Sequence, residues 1–417
     1  MARYLVIQLA RFGDLMQTKR LLCGLAAMDN AEVHLCVDRS LEGIARLVYP
    51  GLRVHTLAAH ATGSGLDAPT LLQNNRRCFE ALTAIEPDAV FNLNFSGLNF
   101  ALASLFDPTR VRGYQMKDGQ ALKDGWADLA FRWTRRRATS PLNLVDYWAG
   151  FGPKLFPADA VNPSPQTDGR GLGVVLAGRN SRRSLPAEVL APVARAALRT
   201  CDTAKVFLLG GKEDVPLARA FMRRADTELR GCVRDLTGAT DWRQLVETVS
   251  SLELLLTPDT GVMHLAAHLG TRTLAFFLAS AWVWETGPYG QGHRVCQSVT
   301  DCAPCVESQP CGCGLACLEP FRSREFLRAV TQNDASAAVD GLVILESEFD
   351  ALGVIYRGQN STTTYDAERT GLRRLVAAHL GVDSLQDPAA PAVPGHALYH
   401  ERDWMLPHEK PPTLDLA

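Results

Sequence analysis

The chain of 417 residues has no apolar run long enough to cross a bilayer, which takes about 20 consecutive apolar residues. Its first apolar stretch, Tyr4 to Ala10, is too short for the core of a secretion signal and is cut by Arg11. The expected compartment is therefore the cytosol, with at most peripheral membrane association. Net charge is also scarce, −2 at pH 7, which excludes bulk electrostatic capture of nucleic acid and leaves any anionic partner to local clusters. There is no D-x-D triplet of the kind that holds a nucleotide diphosphate through a divalent ion. His264 and His268 lie one helical turn apart, but no glutamate follows His264 in an H-E-x-x-H pattern, so a catalytic zinc is not expected there. Internal repeats are absent. What remains is an ordinary globular composition, 47% apolar and 21% charged, with length for two domains and a tail.

The chain is organised around Leu252 to Phe277. An apolar strand, Leu252 to Leu256, turns at Thr257, Pro258 and Asp259. A helix resumes near Gly261, and after Gly270 an apolar strand returns, Thr273 to Leu278. Asp259 and Thr260 stand at the helix N-cap, so the amides of Thr260, Gly261, Val262 and Met263 point beyond the strand's carboxyl end. Such a terminus favours a phosphate by about 0.3 to 2 kcal/mol, and Gly261 permits close approach to the backbone.

A similar edge is expected in the amino-terminal half. Tyr4 to Leu9 reads as a strand, Ala10 to Asp14 as a turn, and a helix begins near Leu15 and runs to Met28. Asp14 thus sits at a strand's carboxyl end, where open α/β sheets bind ligands, although aspartate also serves as an ordinary N-cap. Strands are expected at Glu32–Val37, Arg53–Leu57 and Asp88–Leu93, and a helix at Thr70–Ile85. His60 to Pro69 reads as a loop at the cleft or a plain connector. Arg132 to Arg137 is the densest basic run, suited either to anionic groups of an acceptor or to a solvated face.

A hinge is expected between Phe156 and Arg170, followed by a second βα series: a strand at Gly173–Ala177, a helix at Pro186–Arg199 and a strand at Ala204–Leu209. Gly210-Gly211 then turns into a helix from Asp214, with Glu213 a candidate for a nucleoside hydroxyl. The loop after Ala177 carries Arg179, Arg182 and Arg183 at the same sheet edge as Asp259, a setting that suits a diphosphate.

The pattern D-T-G-x-x-H-L-A from Asp259, followed by an apolar strand and Thr286-Gly-Pro-Tyr-Gly, resembles the donor-site signature of the ADP-heptose glycosyltransferases, glycosyltransferase family nine. The resemblance runs from about residue 3 to about residue 330. It implies a GT-B architecture of two Rossmann-like wound-sheet domains facing a cleft, with Gly13-Asp14 matching the turn whose aspartate is the catalytic base. It further implies that Arg183, in place of the commoner lysine, contacts the donor phosphates, and that His264 lies beside them. Gly13, Gly211, Asp259, Thr260, Gly261 and Met263 complete the expected donor site. Ala10, Arg11 and Gln17 depart from the two serines and the histidine usual around the aspartate, which bears on the acceptor.

Eleven cysteines remain to be placed. Six crowd between Cys296 and Cys317, and Cys302-x₂-Cys305 with Cys311, Cys313 and Cys317 has metal-ligand spacing. Cys302, Cys305 and Cys317, with Cys311 or Cys313, are the expected four. A similar insertion in a subset of the family holds iron, so zinc and iron both stay open, in a structural role with no catalytic metal.

The expected division is 1–160 for the acceptor, 161–335 for the nucleotide-sugar donor, and 336–417 as a closing helix and extension. Helices are expected at Ser323–Val330 and Ala335–Leu352, an amphipathic one at Arg369–Leu380, and extended arms at Asp387–Pro394 and Pro407–Pro412. The resemblance points to heptose transfer from ADP-heptose to a lipopolysaccharide inner-core sugar. Alternatives are transfer to protein hydroxyls, or a catalytically idle nucleotide-sugar or metal-binding protein. No nucleic acid partner is expected, and a homo-oligomer is compatible with the chain.

Overall fold

The computed structural model describes residues 1–60, 67–166, 168–178, 181–202, 204–306, 309–359 and 365–382. Two wound sheets make two lobes. The first holds β1 (Ala2–Gln8), β2 (Ala31–Asp38), β3 (Arg53–Leu57), β4 (Ala89–Asn92), β5 (Val111–Lys117) and β6 (Gln120–Lys123), in the order β3-β2-β1-β4-β5-β6. All neighbours are parallel except the edge pair of β5 and β6. The second holds β7 (Leu172–Val175), β8 (Val206–Leu209), β9 (Val233–Asp235), β10 (Leu254–Pro258), β11 (Thr273–Phe277), β12 (Arg294–Ser298), β13 (Leu342–Phe349) and β14 (Val354–Arg357). Its order is β14-β13-β12-β11-β10-β7-β8-β9, parallel from β9 through to β12.

The central strands are short, β-branched or leucine-rich and buried on both faces, as helix-covered parallel sheets require. Strand order reverses between β1 and β4 and between β7 and β10, and at such reversals the carboxyl edge opens into a crevice. The turn after β1 carries Asp14, the turn after β10 carries Asp259, and the turn after β7 leads to Arg183. Both reversals therefore place candidate chemistry at a cleft edge.

An apolar core runs continuously through both lobes. Leu15, Ile44 and Val48 of the first share it with Val249, Leu255 and Leu265 of the second. At its edge Phe12 packs on Trp242, ring centroids 4.9 Å apart. The Phe12 ring also covers Gly261, where any added methyl would collide with it. Gly261 thus gives close approach to an aromatic ring of the other lobe, where the sequence suggested approach to a ligand. Gly261→Ala is expected to cost about 1–3 kcal/mol by overpacking, read from the urea midpoint, with Phe12→Leu in the same chain recovering part of the loss.

Two elements differ from expectation. The helix foreseen over Leu15–Met28 is two, Phe12–Gln17 and Lys19–Ala26, meeting at Thr18. Residues 335–352 are not a helix: Leu342–Phe349 is β13, antiparallel to β12, and β14 extends the sheet further. The second sheet therefore continues beyond residue 335, into the segment expected as an extension. The closing helix is Asp366–His379, and it returns to the first lobe. Arg373 donates to Pro141 O at 2.8 Å, and His379 stacks on Trp126. No helix of the described residues is long and apolar enough to cross a membrane. Residues 61–66 of the cleft loop, Arg179, the side chains of Arg132 and Arg135, and both expected tail arms lie outside the described residues.

Candidate functional site

The turn that presents Asp14 is fixed from below by neutral amides. Gln8, at the end of β1, donates to Thr18 Oγ1 at 3.0 Å and accepts from Asn94 Nδ2 at 2.5 Å. Asn94 Oδ1 in turn accepts the Leu9 amide at 2.7 Å. Buried amides of this sort are satisfied only in one arrangement, so they hold the backbone between Leu9 and Asp14 in place. Asp14 itself is half-buried in the first turn of helix Phe12–Gln17, and its Oδ2 accepts the Arg11 amide at 3.1 Å. The N-cap is Arg11 and Asp14 is the third residue of the helix, so the N-cap reading is corrected: the carboxylate takes the return half of a capping box, a role compatible with that of a base because one oxygen suffices for it.

The second lobe meets this turn directly. A methyl built on Gly13 would lie 3.4 Å from His264 Cδ2 and 3.7 Å from Gly261 Cα. The Asp14 turn and the amino end of helix Gly261–Leu269 thus face each other across the width of a glycine. Thr260, not Asp259, is the N-cap: its side chain accepts the Met263 amide at 3.4 Å, and its carbonyl accepts it at 3.1 Å. The Met263 amide is therefore spoken for, and its side chain is buried among Val145, Phe277 and Trp282. That corrects the expectation of four open amides, since a threonine cap folds back onto the third residue of its helix.

Asp259 is buried and receives three neighbours. Arg183 Nη1 donates to its Oδ2 at 2.9 Å, Thr286 Oγ1 donates to the same oxygen at 3.1 Å, and His264 Nε2 lies 3.9 Å from Oδ1. Burial pushes the Asp259 carboxyl up to about 6, with Arg183 and Thr286 opposing. Burial also lowers His264 to about 4, so near neutrality its ring is uncharged and serves as a hydrogen-bonding group. Beside this cluster Glu285 takes a two-pronged bond from Arg137 of the first lobe, at 2.9 and 2.7 Å to Oε2. Burial raises Glu285 as well, against Arg137.

Not every expected residue joins this group. Gly211 and Glu213 sit beyond β8 on the same edge, where Glu213 is exposed and Asp214 caps the Gly211 amide at 2.8 Å. They flank the Arg183 loop without touching Asp259. Arg137, read as part of a solvated or acceptor-facing run, spends its guanidinium on Glu285. Gln8, Asn94 and Glu285 lie outside the expected site residues, and Thr286 is expected only as the first residue of the signature Thr286-Gly-Pro-Tyr-Gly. Polar side chains closing otherwise apolar strands were the one signal for the first two.

The cysteine loop borders the same edge. Cys302, Cys305, Cys311, Cys313 and Cys317 line one cavity of about 170 Å³ together with Arg182 and Ser280. A set of soft thiolate donors fits zinc or iron. Among the described residues, however, no three His, Cys, Asp or Glu side chains already stand as a ligand set. Cys311 and Cys313 lie exposed at the rim while Cys317 is buried at the floor.

Comparison with known proteins bears on the second lobe above all. A model of glycosyltransferase family 9 (heptosyltransferase) matches residues 171–312, a span that takes in Arg183, Glu213, Asp259 and His264 and leaves Asp14 outside. No curated protein sequence matches the chain. Among solved structures, the E. coli heptosyltransferase WaaC with ADP is similar at 17% identity and a TM-score of 0.51, covering 69% of this chain and 91% of that one. An E. coli ADP-heptose LPS heptosyltransferase II is similar at 16% identity and a TM-score of 0.50, covering 70% and 89%. A family 9 glycosyl transferase from Veillonella parvula is similar at 15% and 0.51, covering 69% and 83%. At these identities the likeness is one of fold, the two-lobed GT-B architecture.

Proposed function

We propose that this protein is an inverting glycosyltransferase that moves a heptose from ADP-heptose to a lipopolysaccharide inner-core sugar, with Asp14 as general base. The observation that carries the reading is the meeting of the Asp14 turn with the helix end at Gly261 and His264, beside the Arg183–Asp259 pair. In this reading the Asp14 carboxylate would take the acceptor's proton, and Arg183 with the amino end of the helix would meet the donor's diphosphate. The family match over the donor lobe supports a glycosyltransferase. ADP and ADP-heptose come from what similar structures bind. The test is ADP release by purified protein supplied with ADP-heptose and candidate acceptors, and no release with any acceptor would sink the reading. Such an enzyme would work at the cytoplasmic face of the membrane, where a lipid-linked acceptor is presented.

The five thiols sharing one cavity favour a second acceptor class, protein hydroxyls, which profiling peptide against lipid acceptors would decide. The same cavity supports a structural zinc or iron held by Cys302, Cys305, Cys317 and either Cys311 or Cys313. The metal would order the loop and supply no catalytic step. Elemental analysis of purified protein without stoichiometric metal would remove this assignment.

A pH dependence follows from Asp259. Its carboxylate competes with a diphosphate for Arg183, and a bound diphosphate adds negative charge nearby, so donor binding draws a proton onto Asp259. With that carboxyl near pH 6, ADP affinity is expected to rise as pH falls toward 6, by up to about tenfold per unit. ADP's own phosphate titrates in the same range. The measurement is therefore the difference between wild type and Asp259→Asn by calorimetry, with the variant showing the flatter profile.

A further inference from the structure

Cys305 is held at three atoms by three separate segments. Its amide donates to Ala279 O at 2.7 Å, its carbonyl accepts from Arg137 Nη1 at 2.8 Å, and its Sγ accepts from Arg182 Nη2 at 3.3 Å. The neighbouring residue on the strand side, Ser280, is shared by the same two arginines. Its hydroxyl donates to Arg182 O at 3.3 Å, and its carbonyl accepts from Arg137 Nη2 at 3.4 Å. Arg182 also donates to Gln309 O in the cysteine loop.

From both arginines the contacts lead back to one place. Arg183, next in the chain to Arg182, pairs with Asp259. Asp259 accepts from Thr286, next in the chain to Glu285, and Glu285 pairs with Arg137. The contacts form a closed ring: Arg182, Arg183, Asp259, Thr286, Glu285, Arg137, Cys305 and back to Arg182. One side of the ring is the donor clamp, the other is the cysteine loop, and Arg137 brings in the first lobe. Burial of Asp259 and Glu285 stiffens the ring, because either carboxylate parted from its arginine loses the main group that offsets its desolvation.

We propose that Arg182 and Arg137 are positioning residues that make the donor clamp depend on the cysteine loop, holding Arg183 in place only while Cys305 is seated between them. Neither arginine touches the transferred sugar in this account. Whatever seats or unseats Cys305 in its thiol-lined cavity then changes affinity for the diphosphate. The proposal rests on the donor reading for its consequence, while the linkage between the two loops stands on the contacts alone.

The experiment uses the full chain and two readouts. The first needs no nucleotide: amide hydrogen exchange at residues 182–185 in wild type, Arg182→Met, Arg137→Met and Cys305→Ala. Each single variant is expected to speed exchange there by about fivefold or more, since the ring is the main local restraint. The double variant Arg182→Met with Cys305→Ala should go no further than the larger single, as coupled residues do. Arg182→Lys keeps the charge but not the fork that reaches Cys305 and Gln309 together, so it should fall between; it also serves should the methionine variant fold poorly. Unchanged exchange in the variants, or a double effect equal to the product of the singles, would overturn the linkage.

The second readout is ADP titration, where Arg182→Met should weaken binding about tenfold although Arg183 is intact. Wild-type affinity in that variant overturns the positioning role. Wild-type protein that binds no ADP at all overturns the donor reading instead, and the exchange data then decide the linkage separately.

Discussion

Asp14→Asn is expected to lower ADP release from ADP-heptose by about 10²- to 10⁴-fold, while ADP binding and the urea midpoint stay close to wild type. The substitution is chosen for what it leaves intact. Asparagine has nearly the same shape, and its side-chain oxygen still accepts the Arg11 amide that the Asp14 carboxylate accepts at 3.1 Å. The cap survives, and so does the buried network of Gln8, Thr18 and Asn94 beneath it. What is lost is the capacity to take a proton from an attacking hydroxyl. A cap of this kind would show the reverse pattern, with stability falling and turnover holding. Equal turnover in variant and wild type would therefore return Asp14 to a structural role. A second comparison is informative: Asp14→Glu keeps the base but displaces it by one methylene. Misplacement on the order of 1 Å costs about 10²-fold in well-ordered sites, so residual activity in Asp14→Glu above that of Asp14→Asn would separate chemistry from position.

The contrast between lobes shows what the amino-acid sequence makes legible. The strand, helix and strand around Asp259 are readable because apolar runs of strand length bracket a capped helix. Gly270 ends that helix at a φ of +76°, where glycine is at ease. The segment from Ala335 to Leu352 misleads because its leucines, valines and isoleucine satisfy helical and strand spacing alike. The deciding fact is pairing: β13 completes the hydrogen bonds of β12, from Ser298 with Leu342 to Arg294 with Glu346, and nothing local announces so distant a partner. The same holds for side chains. Arg137 lies at the end of a basic run that looks solvated, and its partner Glu285 is 148 positions away. Phe12 looks like an unremarkable apolar residue until Gly261 of the other lobe is seen beneath it. Residues that act within one turn of their neighbours, such as Thr260, could be placed near their roles from spacing. Those that act across the lobes could not, because a charge or a ring carries no address.

A buried ion pair within the first lobe, hydrogen-bonded on to Tyr289 and Val354 of the second, gives the largest expected effect on stability. Asp146, in helix Leu144–Ala149, accepts from Arg20 Nη1 at 2.5 Å and from Tyr289 Oη at 2.7 Å on Oδ1, and from the Val354 amide at 3.1 Å on Oδ2. Arg20 and Asp146 are 2% and 1% exposed. Arg20 also donates to Phe156 O and Leu352 O, so this one cluster ties helix Lys19–Ala26, the connector and β14 together. Burial raises the Asp146 carboxyl despite Arg20, which says that desolvation is a large part of what the pair overcomes. Asp146→Ala is expected to destabilise by about 3–5 kcal/mol, because it leaves Arg20 charged, buried and unmatched. Arg20→Met in the same chain should recover much of that loss, since an apolar pair of similar volume carries no desolvation cost. Urea unfolding of the two singles and the double decides it. A double variant as unstable as the sum of its singles would mean that Asp146 matters through Tyr289 and the Val354 amide rather than through Arg20. Recovery would show that Asp146 is needed chiefly to match Arg20, a buried carboxylate whose removal is harmful only when its partner stays behind.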